Sequence, residues 1–216
     1  MTVVKRTRLS PEQRRAQLID LGEKMLAERP IEQISVEDIA DQAGVSPGLL
    51  FHYFASKHDF HLAIVRHASD EMLDYTAADP AVEETGDPIR VLRSVLSSFI
   101  DYASENRACY VSLSRGTANG DPDMREIFEQ TRVVMCERVL DQLRALGIEP
   151  TPAVALSVRG WIAYVEEVTI TWLHNPLPNA QLSRDELIDI AAQALPALAV
   201  AAAPEMAATL LSATAN

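Results

Sequence analysis

The sequence predicts an all-α protein: a small three-helix head containing a helix-turn-helix, joined by a fourth helix to a larger helical body, about nine helices in all. Three observations carry this. In Ser35–Lys57, two short helical patterns flank a tight Gly-containing turn, and a third helix starts straight after. Almost every other segment has helical period, and no alternating strand pattern stands out. The charge is also divided: the chain is at −12, yet residues 1–67 hold as many basic as acidic residues, so the body carries the whole excess.

Taken in order, Ser10-Pro11-Glu12-Gln13 is a capped helix start, and Leu18, Leu21, Gly22 and Met25 form the inward stripe of a first helix ending at Pro30. Ser35 precedes Val36, Ile39 and Ala40, which share one face; with Asp38 three residues on, this predicts a capping box. Ala43-Gly44-Val45 breaks the period, Gly44 supplying a left-handed backbone that other residues resist. Ser46 is expected to cap the next helix, with Pro47 at its first position, and Ser56 to cap the one after. Leu50 and Phe54, four apart, face inward onto Val45 and Ile39. Ser46, Pro47, Gly48, Phe51, His52 and Tyr53 are left at the tip or on the outer side. An outer face with His and Tyr, small residues at its start and no acid suits a phosphate-lined major groove. A plain helical corner with its aromatics in the core has the same spacing, and these residues alone leave both readings open.

The fourth helix runs from Lys57 to about Tyr75, followed by an acidic, Pro/Gly-bearing loop from Ala77 to Asp87. Ile89, Leu92, Leu96, Phe99 and Ala103 mark a fifth helix, and Arg107–Arg115 a short sixth. After the turn formers of Gly116–Asp121, a long seventh helix from Pro122 ends at Gly147. The eighth spans about Pro152 to His174, and the ninth runs from the capping box Ser183–Glu186 to about Val200. His58 and His61, three apart, read as exposed side chains; with only the distant His67 as a third ligand, no metal is expected.

Over about its first sixty residues the chain resembles the DNA-binding domain of the TetR family of bacterial one-component regulators. The motifs are Ile39-Ala40, then Ala43-Gly44-Val45-Ser46, then His52-Tyr53-Phe54, Ser56-Lys57 and Phe60; beyond residue 70 the likeness is one of architecture. The resemblance implies a DNA-binding domain over residues 1–60 and an effector-binding and dimerisation domain over 61–216. It places Ser46, Pro47, Gly48, His52 and Tyr53 in the major groove or against its phosphates, Lys57 on a phosphate, and Ser35 on the backbone. Leu49 and Phe51 depart from the family pattern, each lacking a hydroxyl worth about 1 kcal/mol against phosphate. Phe51 is therefore expected to pack, and Leu49 to touch at most a thymine methyl.

Lys5, Arg6 and Arg8, with Arg14 and Arg15, make a basic arm offset only by Glu12, able to follow a phosphate backbone or enter the minor groove. A solvated tail is the alternative in the absence of DNA. The acidic body argues against a protein that coats DNA non-specifically and favours a small, directed contact. No apolar run is long enough to span a membrane and no secretory signal opens the chain, so a cytoplasmic protein is expected. Cys109 and Cys136 lack metal spacing and read as reduced core residues, with a sensor thiol as the alternative. There is no G-x-S-x-G, H-E-x-x-H, G-x-G-x-x-G or P-loop pattern, so neither an enzyme nor a cofactor is expected.

Between Arg159 and His174 only Glu166 and Glu167 are acidic or basic, and apolar or small residues occur on every face, as in a helix covered on both sides. The expected dimer surface is the eighth and ninth helices, through Val165, Trp172, Ile188, Ala191, Ala192 and Leu195. The resemblance likewise implies a homodimer through a four-helix bundle, reading an inverted-repeat operator in double-stranded DNA. It also implies a pocket for an unknown small-molecule effector. The candidates are Phe99, Tyr102, Tyr110, Leu113, Arg115, Trp161, Tyr164 and Val168, although aromatic stripes also serve as core. Glu166 and Glu167 are costly to bury unpaired: one is expected to pair with Arg159 or Arg115, bridging the dimer or holding a cationic effector being the alternatives. Arg115 is the candidate coupler of effector to the fourth helix. A ligand-released repressor is the expected function; an activator, a co-repressed regulator or a helical protein-interaction module are the alternatives.

Overall fold

A computed structural model describes residues 9–116, 120–147, 149–174 and 182–204, the side chains of 115 and 116 excepted. Among these there are α-helices and one 3-10 turn and no strand: α1 (Pro11–Leu26), the 3-10 turn Ile31–Gln33, α2 (Val36–Ala43), α3 (Pro47–Tyr53), α4 (Lys57–Tyr75), α5 (Pro80–Glu83), α6 (Pro88–Glu105), α7 (Arg107–Gly116), α8 (Pro122–Ala145), α9 (Pro152–His174) and α10 (Arg184–Ala202). The nine expected helices are present. The addition is α5, a single turn in the acidic loop, where the Asp79 carboxylate accepts from the Ala81 amide and Pro80 fills the first position.

The chain forms two compact units: residues 1–68 with 108–125, and 69–107 with 126–216. A division at residue 60 would cut α4, whose first half belongs to the head because Phe60, Ile64 and Val65 lie in its core. That core takes Leu18, Met25 and Leu26 from α1, Ile39 from α2, and Leu50 and Phe54 from around α3, all essentially inaccessible. The Phe54 and Phe60 rings meet edge to face, 4.9 Å between centroids. Burying each such side chain contributes about 1.5–3 kcal/mol. Gly22 lets α1 and α4 close: a Cβ there would lie 2.8 Å from Ile64 Cγ1 and 3.1 Å from the Phe60 ring.

In the second unit α9 and α10 pack on each other and on α6. Its core holds Leu96, Phe99 and Ile100 of α6, Val154, Val158, Trp161, Ile162 and Val165 of α9, and Leu187, Ile188, Ala191 and Ala192 of α10. The capping box of Ser183 and Glu186 starts α10 as expected. The next residue, Arg184, forks onto both oxygens of Asp101 at 2.6 Å each and ties α10 to α6. No helix among the described residues is long and apolar enough to cross a membrane.

Candidate functional site

In the head, the Ser35 hydroxyl accepts from the Asp38 amide at 3.0 Å and starts α2, a single cap rather than a reciprocal box. Asp38 instead pairs with Arg29 at 2.9 Å. Gly44 takes φ 65°, and the Val45 amide turns back to the Ala40 carbonyl at 2.9 Å, so the chain reverses into α3 without a helical step. Ser46 sits at the N-cap of α3 but makes no side-chain cap bond, a departure from expectation. Pro47, at the first helical position, lacks one of the amides a helix start leaves unpaired.

Leu50 and Phe54 point into the core, which fixes the other face of α3 outward. Ser46, Pro47, Gly48 and His52 are exposed, and Leu49 and Tyr53 half-buried, Tyr53 meeting the His52 ring edge to face. Phe51, expected to pack, is 52% exposed, because the inward stripe of this short helix is already filled by Leu50 and Phe54. Ser56 caps α4 through the Asp59 amide at 3.0 Å. Lys57 is exposed, its ammonium donating to the Glu32 carbonyl at 3.0 Å. Lys5, Arg6 and Arg8 lie outside the described residues. Arg15 is not a free arm residue: its guanidinium stacks over the Phe54 ring, 5.1 Å from the centroid.

Of the two α4 histidines, His58 is exposed, 2.9 Å from Asp123 and 3.5 Å from Asp121, at the start of α8. His61 corrects the expectation that it would be exposed. It is 6% accessible, in the run of buried α4 residues, with Nε2 3.1 Å from the Ile34 carbonyl. Burial pushes its pKa down, the Ile34 contact opposing and Lys57 adding to the shift. The ring is therefore neutral near pH 7 and donates to Ile34.

The second unit holds a half-open cavity of about 460 Å³, within the range of small-molecule sites. Phe99 and Trp161, two of the pocket candidates, line it, with Val91, Leu92, Leu96, Met135 and Ile162. Val165 and Leu195, assigned to the dimer surface from sequence, line it too. Pro196, inside α10, lies on the same wall, and the Trp161 indole donates to the nearby Ala191 carbonyl at 2.8 Å. Thr76 and Ala77, directly after α4, belong to the wall. Arg138 of α8, also in the wall, donates to the carbonyl of Leu73 in the last turn of α4 at 2.7 Å. Sequence reasoning missed Arg138, because its partner is 65 residues away.

The other pocket candidates lie elsewhere. Tyr102 is buried against Tyr75, 5.6 Å between ring centroids, while Tyr110 and Leu113 belong to the head unit. Tyr164 and Val168 are half-buried on α9 and do not line the cavity, and the side chain of Arg115 lies outside the described residues. Glu166 pairs with Arg132 (2.9 Å) rather than Arg159, which pairs with Glu129. Two ion pairs join α8 to α9 here, and the cation that reaches Glu166 comes from α8. Burial pushes the Glu166 carboxyl above its ordinary range, with Arg132 opposing. Burial also disfavours the charged Arg132, but Glu166 and Glu129 outweigh it and its pKa rises, so the guanidinium is the fixed charge of the pair. Cys109 and Cys136 are both buried, and burial pushes the Cys136 thiol up, which disfavours its thiolate.

Of the residues assigned to the dimer surface, Val165, Ile188, Ala191 and Ala192 are buried within the protomer, and Trp172 is half-buried with its indole donating to the Leu182 carbonyl at 2.7 Å. The stripes turned to solvent are others: Leu156, Gly160 and Ala163 on α9, and Ile190, Ala197 and Leu198 on α10. Leu156 is 72% exposed.

An exposed helix set on a Gly-turned helix-turn-helix, in a chain whose second unit is helical among the described residues and holds a cavity, is the arrangement of a DNA-binding transcriptional regulator. Residues 18–64 match the family described as "Bacterial regulatory proteins, tetR family", and residues 88–198 match "Tetracyclin repressor-like, C-terminal domain". The chain belongs to the TetR family. It is similar to the HTH-type transcriptional activator FasR of Mycolicibacterium smegmatis, 25% identical over 172 residues, 79% of this chain and 77% of FasR. It is also similar to the HTH-type transcriptional repressor KstR2 of Mycobacterium tuberculosis, 30% identical over 95 residues, spanning 44% of this chain and 46% of KstR2. Among solved structures, a tetR-family transcriptional regulator from Streptomyces coelicolor superposes with TM-score 0.72 at 25% identity, covering 96% of this chain and 90% of that one.

Proposed function

We propose that this regulator is a cytoplasmic repressor that binds an inverted-repeat operator as a homodimer and is released when a small molecule enters the cavity of its second unit. The observation that carries the reading is the cavity wall itself. It includes Thr76 and Ala77, the residues that directly follow α4, and Arg138 holds the last turn of that helix. α4 starts at Lys57, so one continuous helix runs from a cation on the reading head to the wall of the cavity. A ligand that favours one placement of α4 by a few kcal/mol would shift operator affinity at both half-sites.

In this reading Ser46, Pro47, Gly48, Leu49, His52 and Tyr53 enter the major groove. Ser35 and Lys57 touch backbone, and Lys5, Arg6 and Arg8 follow the phosphates or the minor groove. Phe51, being exposed, joins them as an apolar contact to sugar or a thymine methyl. The second subunit covers the apolar stripes of Leu156, Gly160 and Ala163 on α9 and Ile190, Ala197 and Leu198 on α10; small residues there permit close helix approach.

A reporter transcribed from the DNA beside the chain's own gene tests the sign. Expression should fall when the protein is supplied and return when the cavity is filled. FasR is an activator, which favours a second reading; expression that rises with the protein would replace repression by activation.

A further inference from the structure

The charges on the cavity wall are unequally partnered, and this bears on what the cavity takes. Three carboxylates lie on the wall, and each already has a donor. Glu166 accepts from Arg132 at 2.9 Å, Asp141 from Arg144 at 2.6 Å and Glu83 from the Gln142 amide at 3.0 Å. The one cation on the wall among the described residues, Arg138, has no carboxylate; its partner is the neutral Leu73 carbonyl, which uses one of five N–H donors. Apart from Thr76 and Gln142, the rest of the wall is apolar.

A guanidinium without a counter-ion beside an apolar cavity is complementary to an anion, and its planar fork matches a carboxylate in a bidentate pair. A cationic ligand would meet carboxylates whose strongest partners it must displace. Resting on the reading that the cavity is the effector site, we infer that the effector is an amphipathic anion: an apolar body filling the space between α6, α8, α9 and α10, and a single carboxylate-like head on Arg138.

The test uses three probes with one alkyl tail and different heads: laurate and lauryltrimethylammonium below their micelle concentrations, and lauryl alcohol below its solubility limit. Binding to the full chain is measured by calorimetry and by tryptophan fluorescence in a Trp172→Phe background, which leaves Trp161 on the cavity wall as the reporter. Laurate should bind at least about tenfold more tightly than the alcohol, and the ammonium most weakly. Arg138→Met should bring laurate to the level of the alcohol and leave the alcohol unchanged, while Arg138→Lys should keep part of the preference. Unchanged alcohol binding shows that the variant is folded. Equal binding of laurate and alcohol, tightest binding of the ammonium, or laurate binding that survives Arg138→Met would overturn the inference while leaving the cavity as the effector site. Failure of all three probes to bind would remove the effector site itself, and the inference with it.

Discussion

Lys57 and Glu32 are joined across 25 residues: the ammonium at the start of α4 donates to the carbonyl of the 3-10 turn at 3.0 Å. The contact fixes where the charge of an otherwise solvated side chain is presented, against the 3-10 turn. A neutral carbonyl is a weaker partner than a phosphate oxygen, so DNA can take the ammonium over at little cost. Lys57→Ala should weaken binding to all sequences about equally and lower the slope of log affinity against log salt by about 1. His52→Ala should instead narrow the gap between operator and random DNA. Mobility shifts at several salt concentrations separate the two effects.

His61 makes the head sensitive to acid. Its folded pKa is lowered by burial, so between about pH 6.5 and the folded value the unfolded chain holds a proton that the folded chain does not. Stability from this group is therefore complete above about pH 6.5 and lost as the pH falls through that window. Urea unfolding at about pH 7.5 and 5.5 should show a larger drop for the native chain than for His61→Gln.

Arg132 and Glu166 test how the second unit tolerates charge beside its cavity. Arg132→Met leaves a largely buried carboxylate without its cation and should cost about 1–3 kcal/mol. The double variant Arg132→Met with Glu166→Leu should recover most of that loss. A double-mutant cycle in urea reads the coupling directly.

Leu156, 72% exposed on α9, is the most accessible large apolar side chain described. In the proposed dimer it is covered, so Leu156→Glu should raise the dimer dissociation constant by about tenfold or more without lowering the stability of the protomer. Sedimentation across micromolar concentrations checks this.

What was legible in the sequence was local. The Ser183–Glu186 box, the Gly44 reversal and the inward pair Leu50 and Phe54 follow from spacing within one or two turns, and all three stand in the structure. The errors concern partners brought by other helices. Val165, Ile188, Ala191 and Ala192 are apolar on a helical period, but the period gives a face and not its neighbour. They meet the protomer's own core, and the solvent stripe is carried by Leu156 and Ile190. His61 reads as polar and hence exposed until the Ile34 carbonyl, 27 residues away, is seen to satisfy it. Glu166 shows the same limit: the sequence offers Arg159 or Arg115 as its partner, and only the fold brings Arg132 from α8.

The central claim is that the head reads DNA as one half of a symmetric pair. Footprinting and mobility shift on the DNA beside the gene test it most directly. The expected result is salt-sensitive, sequence-specific protection of two inverted half-sites, with centres about 34–36 Å apart or somewhat more where the DNA is bent. Absence of retardation at low salt, or binding with no preference for any sequence, would contradict it.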